Sequence, residues 1–144
     1  MMLAAIATGA GLIALVGLLH HYALYSLGRA LPRPDTNSTL AIQSTFVGLL
    51  LLHIGEILIL AAANRWLLGW GGLGAPASAP LSWVDLVYLT GVNFTTLGYT
   101  QIQLVGHIRI VTMLQSLGGF MVLTWSATYL FTICQKSWRC AENE

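Results

Sequence analysis

Apolar residues run almost unbroken over three long stretches of this chain, 3–27, 40–63 and 108–134. Each reaches the roughly 20 residues that a helix needs to cross a hydrocarbon core. The first stops at Gly28 and Arg29, and the second at Asn64, Arg65 and Trp66. A fourth stretch, 82–94, is also apolar but short: 13 residues of helix measure about 20 Å, against a core of about 30 Å. Its start is marked by Ser82 and Asp85, which have the spacing of a capping box with Asp in place of Glu. Between these stretches the chain changes character. Two prolines, three charges and turn formers crowd into 29–38, which reads as a loop. Glycine and proline dominate 69–80, which cannot sustain a helix.

The pattern is therefore long, long, short, long. It predicts an all-α membrane protein with three transmembrane helices and a re-entrant short helix and loop between the second and third. Irregular backbone at membrane depth is tolerated only where protein buries it or where it lines a watery path, so residues 82–106 are the expected functional centre. A signal peptide is the other reading of residues 3–27. No Lys or Arg precedes that apolar core, and its length suits a retained helix better.

Composition agrees with this pattern. Of 144 residues, 56% are hydrophobic and 8% charged, with a formal charge of +1 and a mean hydropathy of +0.75. A soluble domain carries about 25% charged residues, so a soluble enzyme, a disordered chain and a nucleic-acid binder are excluded as classes. Cys134 and Cys140, the two cysteines, read as reduced thiols near the cytosolic surface. Arg29, Arg33, Lys136 and Arg139 fall on one side of the three spans, and Arg65 and Arg109 on the other. The positive-inside rule then puts the C-terminus in the cytoplasm and the N-terminus outside, in the cell (inner) membrane. Trp66, Trp70, Trp83 and Trp138 fall near the expected membrane boundaries.

The words from Asp85 to Thr100, DLVYLTGVNFTTLGYT, resemble the pore helix and selectivity filter of potassium channels, written T-V-G-Y-G with T-T-L-G-Y-G a frequent variant. Residues 118–131, GGFMVLTWSATYLF, resemble the inner helix of small bacterial ion-channel proteins built on one such module. The resemblance implies a pore module over 40–144, with outer helix 40–63, pore helix 82–94, filter 95–100 and inner helix 108–134. It leaves residues 1–29 as an additional N-terminal helix and 30–39 as a cytoplasmic loop. It further implies a homotetramer in membrane lipid, in which Thr95, Thr96, Leu97, Gly98, Tyr99 and Thr100 form the filter. Backbone carbonyls of Thr96, Leu97, Gly98 and Tyr99, with the Thr96 hydroxyl, would replace the hydration shell of potassium or another monovalent cation. Potassium is then the permeating ion, and no cofactor is implied.

Two residues depart from the family pattern. Thr100 stands where the second filter glycine is usual, and Gln101 where Asp is usual. A β-branched residue at positive φ is an outlier, so the outermost carbonyl ring is expected to lose its usual geometry. Gln101 also removes negative charge from the mouth, beside His107 and Arg109. A weakly selective cation pore, one closed at its outer end, and a non-conducting regulatory relative all remain open.

Within the inner helix, Gly118 and Gly119 read either as a gating hinge or as a site of close helix packing. Thr124, Thr128 and Thr132 share one face. Their hydroxyls either wet a cavity below the filter or bond back to helix carbonyls. His53 and Glu56, three apart on one helix face, form a candidate polar or pH-responsive network, Glu56 being the one acid inside a span. A metal site using His20, His21, His53 and Glu56 is the third reading. Against it, His21 is expected about 10 Å away in depth, and both His20 and His21 are read as interfacial. No nucleophile–base pair and no phosphate loop mark an enzyme.

Overall fold

The computed structural model describes residues 1–32, 37–70 and 72–142, with side chains through 139. Residues 33–36, with Arg33, Pro34 and Asp35, together with Gly71, the last two residues and the side chains of residues 140–142, lie outside the described residues. Among the described residues, three helices are long and apolar enough to cross a membrane: α1 (Met2–Ala30), α2 (Ser38–Gly69) and α4 (Ile108–Glu142). Between α2 and α4 lie β1 (Gly74–Pro76), the short helix α3 (Trp83–Phe94) and β2 (Leu104–Gly106). The fold is that of a helical, multi-pass membrane protein.

Local chemistry sets the helix starts. The Asn37 side chain accepts from the Leu40 N–H at 2.9 Å and caps α2. Ser82 and Asp85 close a reciprocal capping box on α3. The Asp85 N–H donates to Ser82 Oγ at 3.2 Å, and the Ser82 N–H donates to Asp85 Oδ2 at 2.9 Å. These bonds satisfy backbone donors that a helix start otherwise leaves free.

Small residues set how closely the helices approach. Gly9 of α1 meets Val111 and Leu114 of α4, Gly48 of α2 meets Leu27 of α1, and Gly118 of α4 meets Ile13 of α1. In a membrane, where apolar surface gains little by leaving lipid, such close packing supplies much of the attraction between helices. Two apolar clusters result. Ala5, Leu67, Ile108 and Val111 close one end, and Val16, Leu60, Phe94 and Val122 fill the middle.

Helix ends differ from the pattern in the sequence. Helix α2 runs to Gly69, past the polar residues at 64–66 that mark its expected end near Ala63. The reason is that Asn64 is 1% exposed and hydrogen-bonded within the protein, so its polarity marks an interior contact rather than a boundary. Helix α1 continues to Ala30 and α2 starts at Ser38, so the expected loop 30–39 is shorter at both ends. The purely helical expectation also misses one pairing. Strands β1 and β2 are antiparallel, with Gly74 opposite Gly106 and Pro76 opposite Leu104. The Ile108 N–H donates to the Leu73 carbonyl and the Ala77 N–H to the Gln103 carbonyl, both at 2.8 Å. A Cβ on Gly106 would stand 2.9 Å from the Leu73 carbonyl, at φ +88°, so the close pairing requires glycine there. Three-residue strands are too short for alternation to reveal. Their effect is to pin together the two loops that flank α3.

Candidate functional site

Residues 95–100 leave the end of α3 as irregular backbone. The Thr95 N–H donates to Gly91 O and the Thr96 N–H to Asn93 O, both at 3.0 Å. Leu97 donates to Val92 O at 3.0 Å, and beyond it no helix or strand continues. Leu97 is 70% and Tyr99 75% exposed on the single chain. Gly98 has φ +68° and Thr96 φ +57°. Thr96 is the one non-glycine residue with positive φ among the described residues. Thr100, expected to be the strained position, instead keeps negative φ, and its Oγ1 accepts from the Ile102 N–H at 3.1 Å. The departure from the family glycine is thus absorbed by an ordinary backbone conformation. Tyr88 Oη donates to the Tyr99 carbonyl at 3.4 Å. Gln101, His107 and Arg109 are exposed.

The loop is held from behind by the buried side of α3. Phe94, the last residue of that helix, is fully buried and packs with Val16, Leu60 and Val122. A polar lock adds direction to this contact. Asn64 Nδ2 of α2 donates to Thr90 Oγ1 of α3 at 3.1 Å and to Gln115 Oε1 of α4 at 3.0 Å. Gln115 Nε2 donates back to Asn64 Oδ1 at 2.8 Å. All three side chains are at most 1% exposed. Buried amides without partners would cost about 1–3 kcal/mol each, so this reciprocal pair fixes the relative placement of three elements. Sequence reasoning missed it, although Gln115 is an uncharged amide inside a membrane-length apolar run, the type of residue that bonds across helices.

Gly118 and Gly119 lie in an unbroken stretch of α4. Gly118 is covered by Ile13, and Gly119 by the backbone of Phe94. Both glycines therefore sit at close contacts. Thr124, Thr128 and Thr132 are exposed on the single chain, and each hydroxyl donates to the carbonyl four residues earlier, at 3.0, 3.0 and 2.9 Å. Met113, Leu117, Phe120 and Met121 are also more than half exposed. Spacings of three and four place them with the threonines in one stripe along α4.

His53 and Glu56 come together, with Nδ1 to Oε2 at 2.8 Å. His20 joins them, its Nδ1 2.8 Å from Glu56 Oε1, and it is fully buried. The interfacial reading of His20 is therefore corrected. Leu27 of α1 lies beside Gly48 of α2, and at 1.5 Å per residue His20 is about 10 Å and Glu56 about 12 Å from that level. The two helices are offset along their axes, which residue counting from a common boundary ignores. His21 is exposed, its ring beside Tyr22 and Trp125, and it takes no part in the cluster.

Among known families, the family model described as ion channel matches residues 49–136. The match runs from the middle of α2 through α3 and the 95–100 loop into the last part of α4, and leaves α1 outside it. No curated protein and no solved structure matches the chain.

Proposed function

The chain belongs to the ion channel family, whose model covers more than half of it, and from this premise we propose that it forms a homotetrameric, passive pore for monovalent cations. In this reading four copies of residues 96–99 surround one axis, since one strand cannot enclose an ion. The observation that carries it is the sequence of forms at 82–100. A short capped helix ends at Phe94, and irregular, exposed backbone follows with positive φ at Thr96 and Gly98. Successive carbonyls of an ordinary strand point to opposite sides. Positive φ at alternate residues breaks that alternation and allows several carbonyls to face one axis.

Three further observations support the assembly. Leu97 and Tyr99 are largely uncovered on one chain, as is the stripe from Met113 to Thr132 on α4. Neighbouring copies would cover the first two and enclose the second as an inner cavity. The C-terminal end of α3 carries no basic residue, so its partial negative charge would favour a cation below the filter. Helix α1, which packs on α4 through Gly9 and Gly118, would be a peripheral support for the inner helix. The proposed orientation has the filter mouth and N-terminus outside and the C-terminus in the cytoplasm.

The test is reconstitution in liposomes. Potassium flux and a reversal potential that follows the potassium gradient are expected, together with a tetramer by mass in detergent. Impermeable liposomes or a stable monomer would refute the pore. A second reading, a non-conducting regulatory relative, is favoured by the Tyr88 bond to the Tyr99 carbonyl, which occupies one of the proposed ion ligands. Tetramers without flux would select it.

A further inference from the structure

Two histidines from different helices approach one carboxylate from both of its oxygens, inside the apolar body. His20 Nδ1 lies 2.8 Å from Glu56 Oε1, and His53 Nδ1 lies 2.8 Å from Oε2. The side chains of His20, Glu56 and His53 are 0%, 2% and 14% exposed. The imidazoles stack with centroids 5.6 Å apart. One ligand atom from each of the three residues lies within 4.8 Å of the other two.

Charge makes this arrangement more than a pair of hydrogen bonds. Among the described residues, the ion-pair partners of Glu56 are these two histidines. With both rings neutral, the cluster would hold an uncompensated negative charge away from water, a costly state. One proton on either ring neutralises the carboxylate, and the other ring then contributes only a neutral N–H donor to it. A divalent ion engages all three groups at once.

We propose that His20, His53 and Glu56 form a site for a divalent transition metal of the zinc class, bound through both Nδ1 atoms and the carboxylate and linking α1 to α2. Two imidazole nitrogens with one carboxylate suit zinc, cobalt or nickel. Magnesium and calcium prefer all-oxygen sites. Metal–nitrogen bonds of about 2.0–2.1 Å require the three side chains to rotate so that their donors converge on an ion between them instead of on one another. A neutral ring that now carries its proton on Nδ1 shifts it to Nε2 when the metal binds, and a charged ring releases one proton. On His20, Nε2 faces Ser126 Oγ of α4 at 3.4 Å, in place to accept that N–H and orient the ligand. The ring of His53 also lies 5.8 Å from that of Phe94, so the site adjoins the inner end of α3. That neighbourhood gives the metal an influence on the pore if the channel reading holds, whereas binding itself does not depend on that reading.

Cobalt titration of the purified, detergent-solubilised full chain tests the site. One equivalent per chain is expected, with the visible absorption of a low-symmetry, four-coordinate Co²⁺ and displacement by zinc. His20→Ala, His53→Ala and Glu56→Gln should each weaken binding by about 100-fold or more, while His21→Ala, an exposed position one residue along, should bind as the unaltered chain does. A buried variant can lose its fold, so zinc should also raise the melting temperature of the unaltered protein in a dose-dependent way. The proposal fails if the unaltered protein shows no cobalt spectrum, binds less than one equivalent or gains no thermal stability from zinc. It fails equally if folded variants bind undiminished, if His21→Ala abolishes binding, or if the cluster takes up protons but no metal.

Discussion

The backbone carbonyl of Phe94, at the end of α3, lies against Gly119 of α4 so closely that a Cβ on the glycine would overlap it. The Phe94 Cα and carbonyl carbon would both stand 2.8 Å from such a Cβ. Backbone cannot swing aside as a side-chain tip does, so α3 and α4 would have to separate. Gly119→Ala is expected to destabilise the protein by about 1–3 kcal/mol, the usual range for overpacking, and to lower its melting temperature in detergent. Gly17→Ala, where nothing lies within 4 Å of the added Cβ, should instead stabilise α1 by about 0.5–1 kcal/mol. If Gly119 acts only as a hinge, Gly119→Ala will change gating and leave the melting temperature where it was.

The Asn64–Gln115 amide pair predicts non-additive mutations. Asn64→Leu leaves the Gln115 amide and the Thr90 hydroxyl without their partner, and a cost of about 1–3 kcal/mol is expected. Gln115→Leu should cost a similar amount. The double variant should cost less than the two singles together, with a coupling of about 0.5–3 kcal/mol. Thermal unfolding of all four proteins measures the cycle, and strict additivity would show the bonds to be unimportant.

Acid should weaken the start of α3. The Ser82 hydroxyl, donating at 2.7 Å, and then the Ser82 N–H hold the Asp85 carboxyl below its ordinary range. A depressed value in the folded state means that the contribution is full above the unfolded value of about 3.9. It is lost as pH falls through the lower folded value. The difference in melting temperature between the unaltered protein and Asp85→Asn should therefore be constant above about pH 5 and shrink toward zero in stronger acid. A gap that instead widened on acidification would contradict this assignment.

Thr100 keeps negative φ and engages Ile102 through its hydroxyl. In the proposed pore, Thr100→Gly would free the backbone to turn the outermost carbonyl inward. Potassium should then gain over sodium by about tenfold in permeability, equivalent to ~1.4 kcal/mol. Reversal potentials under potassium and sodium gradients read this directly, and an unchanged ratio would place the selectivity control elsewhere.

The hydroxyls of Thr124, Thr128 and Thr132 already bond to their own helix. Alanine at any of them should therefore change stability by no more than about 0.5 kcal/mol. Thr128→Phe tests the environment of the stripe. A bulky ring in a shared cavity should block most ion flux while the tetramer persists, whereas a lipid-facing ring would leave flux unchanged.

Much of this architecture was written locally. Long apolar runs need long helices in a membrane, whatever surrounds them. The Ser82–Asp85 spacing carries its own cap, and the words at 95–100 carry the family resemblance. What the chain folded between distant residues was not legible in the same way. The polar residues at 64–66 look like the end of a span, and only the arrival of Thr90 and Gln115 makes Asn64 an interior group. The three-residue strands at 74–76 and 104–106 have no periodicity to detect, because each exists through its partner.

The cluster at Glu56 shows the division most plainly. Sequence alone determined that His53 and Glu56 share a helix face, since 3.6 residues per turn puts positions three apart side by side. Whether His20 or His21 would join them depended on the axial offset between α1 and α2. That offset is set where Leu27 of α1 packs against Gly48 of α2, a contact between residues on different helices. Periodicity fixes which residues share a face. Packing alone decides what that face meets.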